Sequence, residues 1–195
     1  MNKEILKLAI PNIITNITVP LLGMVDLAII GHIGNETYIG AIAIGTMIFN
    51  MIYWNFGFLR MGTSGFTAQA YGANDMKQSM TILVRGLSIA LIAALLLIIL
   101  QYPIALLSQL IVKGSDDVIR LALDYFYVRI WAAPATLGLY ALKGWYIGMQ
   151  NSKLPMWIAI FLNILNIAFS LIFVFVFDQG IKGIALGTVL AQYGG

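Results

Sequence analysis

Asp26 sits in a stretch that otherwise reads as a membrane-spanning helix: residues 8–25 carry no charge and residues 27–30 are apolar. A carboxylate at that depth costs roughly 2.5–3.5 kcal/mol on insertion scales, so it needs a partner or a use. One reading is a structural carboxylate satisfied by a neighbouring helix. The other is a proton or cation site, the usual role of an acid inside a membrane. Asn12, Thr15, Asn16, Val19, Gly23 and Asp26 recur at spacings of three, four and seven, which places them on one helical face. Such a polar stripe borders either a helix–helix seam, where Asn and Thr hydrogen-bond across helices, or a water-filled cavity. Asp26 tips the reading toward the cavity. Pro11 removes a backbone hydrogen bond in the same helix and favours a bend. Gly23 gives the backbone freedom about one turn before Asp26.

Two further polar groups lie downstream. Asn163, Asn166 and Ser170 share a face of one apolar segment, and Thr188 and Gln192 share a face of the next. Their neutral oxygens suit a carboxylate partner or a shared hard cation; packing across a seam is the plainer use. His32, the only histidine, lies at a helix end beside Gly31 and reads as interfacial, with a proton relay as the second option. Arg120 and Asp124 stand four apart and are expected to pair. With one His and no Cys, thiolate metal sites, disulfides and the common nucleophilic triads find no material. The run 61–72 is rich in Gly but lacks the Gly-Lys-Ser/Thr ending of a phosphate-binding loop. It reads as close helix packing that ends in a turn near Gly72-Ala-Asn-Asp75. No enzyme activity and no organic cofactor are expected.

The elements that must position these residues are membrane spans. The chain is 61% hydrophobic and only 10% charged, against about 25% charged in soluble domains. A span requires about 20 apolar residues. Spans are predicted over residues 6–33, 38–71, 78–112, 118–150 and 154–177, with a partial sixth over 181–195. Pro103 is expected to bend or end the third. The fourth is interrupted by Arg120, Asp124, Arg129 and Lys143. Aromatic groups at 53–54, 125–127 and 145–146 read first as interfacial belts. With the N-terminus inside, seven Lys/Arg fall on the inner side (Lys3, Lys7, Arg60, Lys77, Arg85, Lys143, Lys153) and three on the outer (Lys113, Arg120, Lys182). This asymmetry predicts a cytoplasmic N-terminus. The net charge of +3 is dispersed, and no basic block points to nucleic acid. The openings of the second and sixth spans, Gly40-Ala-Ile-Ala-Ile-Gly-Thr46 and Gly183-Ile-Ala-Leu-Gly-Thr188, echo each other weakly, as transporter repeats do.

Several motifs together resemble the multidrug and toxic compound extrusion (MATE) transporters. They are Pro11, Leu22-Gly-Met-Val-Asp26, Ile30-Gly-His-Ile-Gly34 and Gly40-Ala-Ile-Ala. Phe56-Gly-Phe-Leu-Arg-Met-Gly-Thr-Ser-Gly, Gln69-Ala-Tyr-Gly72, Arg129-Ile-Trp-Ala-Ala-Pro134 and Gly144-Trp-Tyr-Ile-Gly-Met-Gln150 resemble the DinF-like branch. The resemblance implies an all-α integral membrane fold: the N-terminal six-helix bundle of a two-bundle transporter, its sixth helix truncated and its second bundle absent from this chain. It implies an antiporter of the bacterial inner membrane that exports organic, drug-like compounds, cationic or amphipathic, in exchange for H+ or Na+. On that resemblance Asp26 is the first-helix acid of the coupling site, Asn166 and Thr188 are its partners, and Pro11 is the bend. A Na+ ion would be held by Asp26, Asn166 and Thr188. The chain departs from the pattern at Ser170, where relatives with the full network carry Asp; coupling would then rest mainly on one carboxylate. A lipid or lipid-linked precursor flippase and a non-transporting membrane fragment are the alternatives.

Overall fold

The computed structural model describes residues 2–32 and 36–195, and among them it contains no strand. Ile33 and Gly34, at the end of the first predicted span, lie outside the described residues, as do the side chains of residues 18–22, Val19 included. The chain forms helices α1 (Asn2–Gly31), α2 (Glu36–Asn55), α3 (Gly57–Gly72), α4 (Met76–Ile99), α5 (Gln101–Ile111), α6 (Asp116–Arg129), α7 (Ala133–Gly148), α8 (Lys153–Leu171) and α9 (Gly180–Tyr193). Among the described residues, three apolar helical stretches reach membrane-spanning length: Glu36–Gly72, Met76–Ile99 and Lys153–Val176.

Several predicted spans are built from two pieces. The stretch 38–71 breaks at Phe56 between α2 and α3. The stretch 78–112 breaks at Leu100, and Pro103 falls in the first turn of α5, where a missing N–H leaves no hydrogen bond unmade. The stretch 118–150 tightens into a 3₁₀ turn at Ile130–Ala132 before Pro134 opens α7. Beyond Leu171, α8 widens into a π-helical turn, Ile172–Val176, a form that recurs at functional sites. The Gly-rich run is helical throughout α3, and the turn after Gly72 places Asn74 in the left-handed region at φ 55°. Asp75 caps α4, its carboxylate accepting from Gln78 N at 2.8 Å.

The helices form one bundle in which α3 packs on α4 and α7, α2 on α6, and α8 on α1 and α9. Its core is aromatic at the centre: Phe49 stacks on Phe126 at 5.3 Å and meets Tyr125 edge-on at 6.4 Å. Tyr125 and Phe126 are fully buried, so this group is core rather than an interfacial belt. Trp145 is also turned inward, donating from Nε1 to the Ser79 carbonyl and hydroxyl, both at 3.0 Å. Trp54, by contrast, is 84% exposed.

The expected Arg120–Asp124 pair does not form. Arg120 binds Asp117, three residues back in the first turn of α6, at 3.1 Å. Asp124 instead faces α9 and meets Lys182 at 3.2 Å. Helical spacing allows either choice for Arg120; the packing of α6 on α9 brings Asp124 a partner from another helix. Both members of this second pair are substantially exposed, so Asp124→Asn is expected to change stability by less than about 1 kcal/mol. Thermal unfolding of the detergent-purified chain checks this; a larger loss would mean the pair pins α6 to α9.

Candidate functional site

Asn166, Ser170 and Thr188 meet inside the bundle. Asn166 Nδ2 donates to Thr188 Oγ1 at 3.0 Å, and Ser170 Oγ donates to Asn166 Oδ1 at 3.4 Å. Thr188 Oγ1 in turn donates to the Ile184 carbonyl at 3.0 Å. All three side chains are buried. Glycine makes this approach of α8 and α9 achievable: a Cβ on Gly187 would sit 2.7 Å from Ser170 N, and one on Gly183 3.0 Å from the Phe173 backbone. The cluster lies just before the π-helical turn of α8. It offers amide and hydroxyl oxygens and, because position 170 is Ser, no charge of its own.

Asp26 is 8% exposed, and its Oδ1 is buried with no hydrogen-bond partner. It is not a hydrogen-bond partner of Asn166, Ser170 or Thr188, although α1, which carries it, packs on α8. Three of the four candidate residues are thus joined, and the Asp26 carboxyl keeps a buried oxygen without a hydrogen-bond partner. A carboxylate oxygen, an amide oxygen and hydroxyls are a fitting donor set for a hard cation, and the free oxygen alone suffices for a proton.

Along α1 the polar stripe divides by exposure. Asn12 and Thr15 are half-buried, whereas Asn16 and Gly23 are exposed. Thr15 Oγ1 donates to the Pro11 carbonyl at 2.9 Å. Pro11 is buried, and α1 runs helical through it. Asn163 is half-buried on α8, one turn before Asn166. His32 is exposed, with Nδ1 2.8 Å from the Ala28 carbonyl at the end of α1. Two surface cavities, of about 450 Å³ between α3 and α4 and about 510 Å³ beside Asp178 and Lys182, include none of these candidate residues in their linings.

Sequence reasoning passed over Arg129. Its guanidinium lies 4.9 Å from the Phe49 ring centre and 5.4 Å from that of Tyr125, and Nη1 donates to the Tyr125 hydroxyl. The signal was present: a second charge set inside an apolar stretch asks for an opposite partner just as Asp26 does.

Residues 11–172 match the MatE family model. The chain is 40% identical over 192 residues to DNA damage-inducible protein F of Escherichia coli (strain K12), covering 98% of this chain and 42% of that protein. It is 30% identical over 195 residues to multidrug and toxin extrusion protein 1 of Danio rerio, covering 97% of this chain and 32% of the relative. Among solved structures, a MOP superfamily transporter from Pyrococcus furiosus superposes with a TM-score of 0.88 at 24% identity, over 98% of this chain and 42% of that one. A MATE protein in a bent conformation gives a TM-score of 0.88, also at 24% identity, over 98% of this chain and 43% of that one. The chain spans about two fifths of the length of the E. coli relative and of these solved structures.

Proposed function

The chain belongs to the MatE family of membrane transporters, and from that premise we propose that it is the ion-coupling bundle of an antiporter that exports organic, drug-like compounds in exchange for H+ or Na+. The observation that carries this reading is a buried carboxylate with an unpartnered oxygen, Asp26, on a helix that packs against the one bearing the Asn166–Ser170–Thr188 cluster. Two relatives are named for multidrug resistance or multidrug and toxin extrusion, which supports an organic substrate. The residues form the N-terminal bundle of the transporter, and a second bundle completes the substrate path. The protein resides in the bacterial inner membrane with its N-terminus in the cytoplasm, as the Lys/Arg asymmetry favours.

In this mechanism the ion enters from outside and binds Asp26. Charge compensation there removes a reason for α1 to keep its polar contacts, and α1 bends at Pro11, with Gly23 absorbing strain near the acid. Asn12, Thr15, Asn16 and Asn163 border the path from which the substrate is displaced. The membrane potential supplies about 2.3 kcal/mol per charge per 100 mV, enough for one ion to bias an equilibrium with a gap of that size.

The test is uptake of a fluorescent organic cation by everted membrane vesicles bearing the complete open reading frame that encodes these residues, under an imposed pH or Na+ gradient. Accumulation driven by either gradient is expected. Lipid translocation without dye transport would point to a flippase, and no response to either gradient would sink the antiport reading.

Ser170 bears on which ion is used. Two acids suit Na+, which needs several oxygen ligands, whereas a single acid suffices for a proton. Ser170→Asp would place a second carboxylate beside Asn166. It is expected to create a Na+-dependent rise in unfolding temperature of a few degrees that choline chloride does not produce. Equal responses to the two salts would argue that the cluster takes no part in ion binding.

A further inference from the structure

We propose that the groove between α3 and α4 binds an anionic phospholipid, with its phosphate on Arg85 and an acyl chain along Phe58, Phe66 and Ile89. The groove holds about 450 Å³, within the range of small-ligand sites. Gln69, Gln78 and Arg85 supply its polar groups. Gln69 lies three residues before the end of α3 and Gln78 two after the start of α4, so both amides stand where the turn joins the helices. Arg85 follows Gln78 by seven residues, on the same helical face. Phe58, Phe66 and Ile89, all exposed, wall the rest. Gly62 and Gly86 add no side chain to the lining, which keeps the groove open.

Charge selects the occupant. Arg85 lies nine residues into α4, about 14 Å along the helix from its start. A cation at that depth in a membrane needs a counter-charge or a route to the headgroups. Among the described residues Arg85 has no ion pair; the contact pairs are Arg120–Asp117 and Lys182–Asp124, on other helices. Over residues 57–112, which build α3 to α5, Asp75 is the one acid, against Arg60, Lys77 and Arg85. Asp75 is engaged in capping α4 through Gln78 N. A phosphodiester fits this excess: it brings one negative charge and oxygens that accept from a guanidinium and from amides. A free anion would leave the apolar wall uncovered, and a zwitterionic lipid carries a cation that competes with Arg85. The α4 wall from Gln78 to Ile89 is about 16 Å long, close to one leaflet of a hydrocarbon core ~30 Å thick. An acyl chain therefore fits lengthwise. On the orientation proposed above, the turn end lies in the inner leaflet.

The test is thermal unfolding, in detergent, of the protein encoded by the complete open reading frame, with added dioleoyl phosphatidylglycerol or dioleoyl phosphatidylcholine. The anionic lipid is expected to raise the unfolding temperature about 5 °C more than the zwitterionic one. Arg85→Gln should lose that difference, whereas Lys153→Gln, which removes a cation of α8 outside the groove, should keep it. Gly62→Leu probes the apolar wall. A Cβ at Gly62 meets nothing within 4 Å, so the variant is expected to fold, and its side chain takes the space of the acyl chain. The difference between lipids should then fall below about 2 °C. Equal responses of the wild type to both lipids, as when another part of the transporter covers the groove, would overturn the proposal. So would a full response kept in Gly62→Leu, or an equal loss in Lys153→Gln, the mark of diffuse surface charge. The same rise with inorganic phosphate would also overturn it, as the mark of a free-anion site. Transport is not read here, so failure of the antiport reading and failure of the lipid site remain distinguishable.

Discussion

Asp26→Asn is expected to abolish gradient-driven transport while leaving the bundle folded. Asn has nearly the shape of Asp, so helix packing around position 26 is kept. What goes is the exchangeable charge. Asn cannot take up a proton, and its amide lacks the negative charge that would hold Na+. In one-for-one exchange each tenfold gradient of the coupling ion is worth about 1.4 kcal/mol, which sets a ceiling of about tenfold on substrate accumulation. Without coupling, that ratio should fall toward one. Dye accumulation in everted vesicles measures it directly. Unfolding temperature is the control, and it should not fall, because an unpartnered buried oxygen is replaced by a neutral group. Accumulation at the wild-type level in Asp26→Asn would end the case for this residue as the coupling acid.

Gly144→Ala should give the largest loss of stability. A Cβ at Gly144 would sit 2.4 Å from the Arg60 carbonyl oxygen and 3.1 Å from its Cα. These are backbone atoms of α3, so no side-chain rotation relieves the clash. The two helices must separate, and α3 and α7 form one of the closest seams in the bundle. Gly148 repeats the contact one turn on, where a Cβ would lie 2.7 Å from the Ser64 carbonyl oxygen. Overpacking typically costs 1–3 kcal/mol, and a seam with no flexible side chain to yield puts this site at about 3 kcal/mol. Gly138→Ala is the internal comparison: its Cβ would meet only Leu87 at 4.0 Å, and little change is expected. Thermal unfolding of the two variants side by side checks the contrast; equal stability would mean that α3 and α7 slide apart without penalty.

Asp26 and Gly144 were legible in the sequence to different depths. Asp26 was visible because a charge interrupting an apolar run has a known penalty wherever the helix packs. Gly144 was visible only as one small residue among many. That it touches Arg60 backbone, while Gly138 touches little, follows from the rotation of α7 against α3. The aromatic residues at 125–127 show the same limit. Their composition suits an interface as well as a core, and only the packing of α6 on α2 buried Tyr125 and Phe126.

The chain's amino-acid order alone determined a helical membrane protein, the face shared by Asn12, Thr15 and Asp26, and the face shared by Asn166 and Ser170. Those relations lie within single helices, where 3.6 residues per turn leave little freedom. Contacts between helices answered to tertiary structure. Packing of α8 on α9 joined Asn166 to Thr188, and packing of α6 on α9 gave Asp124 to Lys182 rather than Arg120. Tertiary structure also set the Arg129 guanidinium over the Phe49 ring. The physical reason is that helix rotation, depth and crossing angle are decided by the sum of many small side-chain contacts. No spacing along one strand of sequence encodes that sum.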